Sequence, residues 1–155
     1  MKTMFVLIVS LIIFILLYFI YLSIKSHSGT APGLINQKLS PCPGTPNCIN
    51  SEFENDAAHF IDTLPYQNKS ILEINLLIKD AIQKTGGHIA IANNDYIAAT
   101  YSSKLFRYID DVEVRIDEEH KAIHFRSASR VGRSDFGANI KRIGLIKNEL
   151  EKNLH

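Results

Sequence analysis

A chain of 155 residues, once an N-terminal apolar run and a polar linker are set aside, leaves about 110 residues for folding, which suits one domain and not two. The net charge of +1 excludes little by itself, although a near-neutral domain argues against a nucleic-acid partner. It also conceals an asymmetry, because residues 52–120 carry 13 acidic and 6 basic side chains whereas residues 121–155 carry 3 acidic and 8 basic. Pairing between the two segments inside the fold explains that pattern, and a basic surface used for binding is the alternative.

From Met4 to Ile24 the only polar side chains are Ser10, Ser23, Tyr18 and Tyr21, with no charge, proline or glycine. At about 1.5 Å per residue this run spans about 31 Å, the hydrocarbon thickness of a bilayer. Residues 1–25 therefore predict a single transmembrane anchor, with Tyr18 and Tyr21 as an interfacial belt at its end. A cleaved secretory signal is the competing reading, but its apolar region is normally about 7 to 15 residues long, and Ser26 and Ser28 offer only a weak cleavage site. Lys2 and the α-amino group face Lys25 across the run, a thin margin that places the N-terminus in the cytoplasm and the domain outside it.

Residues 26–39, with Ser, Gly, Pro, Asn and Gln among scattered apolar residues, have the makeup of a flexible spacer. The segment from Pro41 to Cys48 packs three prolines and Gly44 around the chain's two cysteines, a rigid turn able to bring both sulfurs together. In an exported domain Cys42 and Cys48 form a natural disulfide. Half of a zinc site completed with help from His59, or a catalytic thiol, are the alternatives, but the five-residue spacing and the absence of a visible Cys/His arrangement argue against both. No metal or cofactor is expected.

Residues 40–155 predict an α+β domain. Ser70 to Glu73 form a capping box opening a helix with an apolar stripe of Ile71, Ile74, Leu77, Ile78, Ala81 and Ile82, stopped by Gly86-Gly87. His88–Ala92 and Tyr96–Tyr101 read as a hairpin turned by Asn93-Asn94-Asp95, residues that tolerate positive φ. Asp110–Ile116 and Lys121–Ser127 read as a second pair, with Val114 opposite Ile123 and Val112 opposite Phe125 on one face, and Glu113 against His124 and Asp111 against Arg126 on the other. Ser134 or Asp135 caps a last helix carrying Phe136, Ile140, Ile143, Ile146 and Leu150. The expected fold is a four-stranded antiparallel sheet covered on one face by two helices, behind the transmembrane helix.

The junction from Arg126 to Gly137 compresses three arginines, three serines and two glycines between a strand and a helix. Guanidinium forks, hydroxyls and free N–H groups at a helix start suit an anion. Arg126, Ser127, Ser129, Arg130, Arg133 and Arg142 are the candidate ligand-binding set. The competing reading pairs these arginines with Asp110, Asp111 and Asp135 to hold the fold together. An acid–base site using Asp110 and Asp111 with His59 or His124 is a further possibility, weakened because adjacent strand residues point to opposite faces.

Three blocks carry a resemblance: Pro41-Cys42-Pro43 with Pro46-Asn47-Cys48, Phe106 to Glu113, and Arg126 to Arg142. Over about Leu39 to Leu150 the chain resembles domain-of-unknown-function family 1499, with Arg133, Asn50 and Ile140 departing from the family's usual residues. The resemblance implies a domain found near or in membranes and brings no established activity with it. The expectation is thus a single-pass membrane protein whose partners are the lipid bilayer and an anionic small molecule or envelope protein, whether it acts as an enzyme being left open.

Overall fold

The computed structural model describes residues 2–154. Helix α1, Lys2–His27, is long and apolar enough to cross a membrane. Nearly all of it is exposed; Phe19, Leu22, Ser23 and Ser26, spaced three to four residues apart, form the one stripe that turns toward the domain.

The stretch expected to be a spacer is packed. Strands β1 (Leu34–Ile35) and β2 (Lys38–Leu39) form a small hairpin whose two central residues, Asn36 and Gln37, have φ of 50° and 62°, the conformation of a type I′ turn. Leu39 is fully buried in a minor core with Tyr96 and Ala98, against which Ala31 and Leu34 pack.

The main sheet has six strands rather than the expected four. They are β3 (Cys48–Asn50), β4 (Leu64–Pro65), β5 (His88–Ala92), β6 (Tyr96–Ser102), β7 (Ile109–Asp117) and β8 (Ala122–Ser129), all pairs antiparallel. The order is β3-β8-β7-β6-β5, with β4 also on β8. The two extra strands are three and two residues long, too short for alternation to be visible in sequence.

The β7–β8 register differs from expectation by two residues: Val114 faces Phe125, Ile116 faces Ile123, and Glu113 faces Arg126. The strand runs on to Asp117, which pairs with Ala122, and Lys121 closes the turn at φ 51°. A shift of two keeps every side chain on its assigned face. The Asn93-Asn94-Asp95 turn forms with none of its three residues at positive φ.

Helix α2, Ile71–Lys84, opens with the Ser70–Glu73 capping box and stops at Gly86, φ 89°. Ile74, Ile78, Ala81 and Ile82 enter the core. Helix α3, Ala138–Leu154, buries Ile143, Ile146, Leu150 and Leu154 beside them, against Val112, Val114 and Phe125 of the sheet. Two residues assigned to its apolar stripe are not in the core. Phe136 precedes the helix at φ 52° and is 99% exposed, and Ile140 is exposed on its first turn. The sheet is therefore covered on one face by α2 and α3 and on the other by the β1–β2 hairpin.

Candidate functional site

Alternation along β8 divides the arginine–serine junction between the two faces of the sheet. On the hairpin face, Arg126 donates to Glu113 at 2.7 Å and both are buried. Glu113, with no exposed surface, also accepts from the Tyr96 hydroxyl at 2.7 Å and the Gly33 N–H at 2.9 Å. Burial, and then that bond to Glu113, raise the Tyr96 pKa and keep its hydroxyl a donor. Also on this face, Arg130 makes a two-pronged contact with Asp111, at 2.8 and 2.7 Å, and donates to the Ser26 carbonyl at the end of α1.

On the helix face, Arg142 donates to Asp110 at 2.7 Å and lies over the Tyr101 ring. Ser127 donates to Asn139 at 2.6 Å, and Asn139 reaches both Ser129 and the Asn47 carbonyl. Asp135, expected to pair with an arginine, instead accepts from the Gly137 and Asn139 N–H groups and caps α3. Among the six candidate anion-binding residues only Arg133 is exposed. The set does not converge on one open cleft. Three of its guanidinium groups are engaged by carboxylates, and all three pairs join the acidic segment 52–120 to the basic segment 121–155.

Asp110 and Asp111 point to opposite faces, as alternation requires. His59 is held elsewhere, by Asp56 at 2.8 Å and the Thr45 carbonyl at 3.1 Å, where it steadies the loop closed by the Cys42–Cys48 disulfide. His124 meets Ser51 at 3.2 Å and Glu52 at 3.5 Å, and burial lowers its pKa against the pull of the Glu52 carboxylate. No hydrogen bond joins either histidine to Asp110 or Asp111 among the described residues. His124 does line a groove of about 730 Å³ with Lys38, Glu52, Arg115, Asp117 and His120. There Arg115 is clamped by Glu52 at 2.6 Å and Asp117 at 3.3 Å. Among the described residues no group of three or more His, Cys, Asp or Glu side chains could hold a metal ion.

A second cavity, of about 510 Å³, is apolar and lies where α1 meets the domain. Its walls are Phe19 and Leu22 of α1, Leu105 and Phe106 of the β6–β7 loop, and Val131 and Phe136 of the β8–α3 loop. Phe106 stacks on Phe19 with ring centroids 4.8 Å apart, and Tyr108 stacks on Phe106 at 5.6 Å. The Tyr108 hydroxyl donates to the Phe19 carbonyl, and the Ile109 N–H donates to Ser26 Oγ at 3.2 Å. Lys104, Arg107 and Arg133 are exposed on the same two loops.

Sequence reasoning missed these residues for identifiable reasons. Phe19 is indistinguishable from its neighbours in an apolar run, and Phe136 falls into step with the α3 stripe. The sequence Lys104-Leu105-Phe106-Arg107, two large apolar residues between cations in a strand connection, was the available signal.

A comparison with curated proteins finds no match. The family profile that does match covers residues 38–150, from the second strand of the hairpin to the last turns of α3, and takes in both the cysteine loop and the arginine junction. The chain belongs to that family, the protein of unknown function family DUF1499.

Proposed function

We propose that α1 spans a bilayer with its N-terminus in the cytoplasm, and that the domain is a binding module working at the bilayer surface beside its own anchor. The anionic partner is then the lipid headgroup layer, met by the two anchor-side loops, and not a soluble anion drawn into the paired arginines. The observation that carries this reading is the Phe19–Phe106 stack. Phe19 lies five residues before Ile24, the end of the apolar run, or about 7.5 Å along the helix axis. A loop stacked on it reaches below the level at which that run ends. The exposed Leu105 and Phe136 are then apolar anchors and Lys104, Arg107 and Arg133 headgroup contacts, the composition of an interfacial surface. The Cys42–Cys48 disulfide supports the export of the domain, since such bonds persist in oxidising compartments.

A spin label at Leu105→Cys in the reconstituted full chain tests it. The reading expects collisions with oxygen to exceed those with a water-soluble nickel chelate, and the reverse ratio would remove it.

A further inference from the structure

Resting on the bilayer-facing reading above, we infer that the cleft between α1 and the two loops is a discrete lipid site, taking one acyl chain of an anionic phospholipid whose phosphate is held by Lys104, Arg107 and Arg133.

The cleft's volume of about 510 Å³ falls within the range of about 300–1,000 Å³ typical of small-molecule sites. One wall, Phe19 and Leu22, belongs to the apolar run itself. With α1 in the bilayer, a cleft walled by that run is open to hydrocarbon, and a bilayer lipid can move in sideways without crossing water. The opposite walls come from loops at the same end of the sheet as Ile109, where β7 begins against Ser26.

Two features show walls prepared for an occupant. Phe136 holds φ 52°, a conformation costly for a bulky side chain, with its ring 99% exposed. Burial within the protein does not offset that cost, whereas contact with an acyl chain does. Leu105 likewise stands 81% exposed across the cleft. The polar groups at its inner end are already satisfied within the chain: Asp110 by Arg142, and Asp135 by the α3 N–H groups. Asp110 is thereby matched by a full counter-charge, and the Asp135 carboxylate is turned onto the N–H groups that open α3. By contrast, Lys104, Arg107 and Arg133 take part in no ion pair among the described residues, although Arg126, Arg130 and Arg142 all do. Charge thus favours an anionic headgroup over a zwitterionic one, by about fivefold for each cation near the surface.

The test uses the full chain purified from mixed phosphatidylglycerol and phosphatidylcholine nanodiscs, with bound lipid counted by native mass spectrometry. One phosphatidylglycerol per chain is expected to survive detergent exchange. Ala138→Trp, which fills the cleft from an exposed position on α3, is expected to lose it while keeping the far-ultraviolet circular dichroism of the parent chain. Lys104→Gln, Arg107→Gln and Arg133→Gln together are expected to abolish the preference for phosphatidylglycerol while leaving a chain-bound lipid. No retained lipid, equal retention by the filled variant, or a preference untouched by removal of the three cations would overturn the proposal. If Leu105 still lies in lipid by its collision ratio, those results leave bilayer docking standing and remove only the discrete site.

Discussion

Arg130 grips both oxygens of Asp111, at 2.8 and 2.7 Å, and from the same guanidinium donates to the last-turn carbonyl of Ser26 at 3.1 Å. One cation thereby neutralises a buried carboxylate and meets the negative end of the α1 dipole. It fixes α1 to the domain at the level of the two cleft-forming loops.

Arg130→Gln should cost about 3–5 kcal/mol, because Asp111 stays buried without its counter-charge. Denaturant unfolding of the full chain in mild detergent, followed by tyrosine fluorescence, measures it. Arg130→Lys should recover only part of the loss, since an ammonium group cannot reproduce the fork. A loss below about 1 kcal/mol would mean that the pair is screened, contrary to its burial.

Reducing the Cys42–Cys48 bond should cost about 2 kcal/mol, the chain-entropy value for so short a loop. The effect should spread to the start of α3, because Asn47 in that loop holds the Gly132 carbonyl at 2.8 Å and accepts from Asn139 at 2.9 Å. Hydrogen exchange at residues 132–139 should therefore rise on reduction, and exchange confined to residues 42–48 would contradict this coupling.

Stability should fall in acid in two windows. The folded pKa of His124 is lowered, mainly by burial, so the unfolded chain takes up a proton more readily. Its contribution is present above about pH 6.5 and is lost as pH falls below that value. Burial opposes ionisation of Asp117, but the His120 N–H, the His120 ring and the Arg115 charge outweigh it and hold the carboxyl at about 2. That contribution is present above about pH 4 and disappears toward pH 2. Unfolding midpoints across pH should show both steps, and His124→Gln should erase the upper one alone.

Gly87→Ala should destabilise the domain by about 1–3 kcal/mol, because a Cβ there would come within 2.6 Å of the Tyr101 ring and 2.7 Å of Ile82. A neutral result in the same unfolding assay would show that the α2–β5 junction can open without cost.

Local signals in the sequence marked out α2, with its capping box and stripe, the two hairpins, and the disulfide. Each depends on residues close to one another along the chain. What escaped was non-local. β3 and β4 exist because β8 offers an edge, and the 26–39 stretch is ordered because Gly33 and Leu39 meet Glu113 and Tyr96 across the sheet. The arginines were recognisable as a cluster, but not that β8 would send Arg126 and Ser127 to opposite faces, each to a partner already in place. Phe136 kept the helical spacing of α3 while lying outside the helix, and its exposure became visible only in three dimensions.

The chain has no tryptophan, so single tryptophans report position without background. The decisive comparison places one at Leu105, one at Phe136 and one at Leu72, an exposed residue on α2 whose first turns lie by the β5–β6 turn, at the end of the sheet away from α1. In vesicles containing lipids brominated on the acyl chain, bilayer docking predicts blue-shifted, strongly quenched emission at 105 and 136 and unquenched emission at 72. Emission at 105 and 136 as water-exposed and unquenched as that at 72 would contradict it.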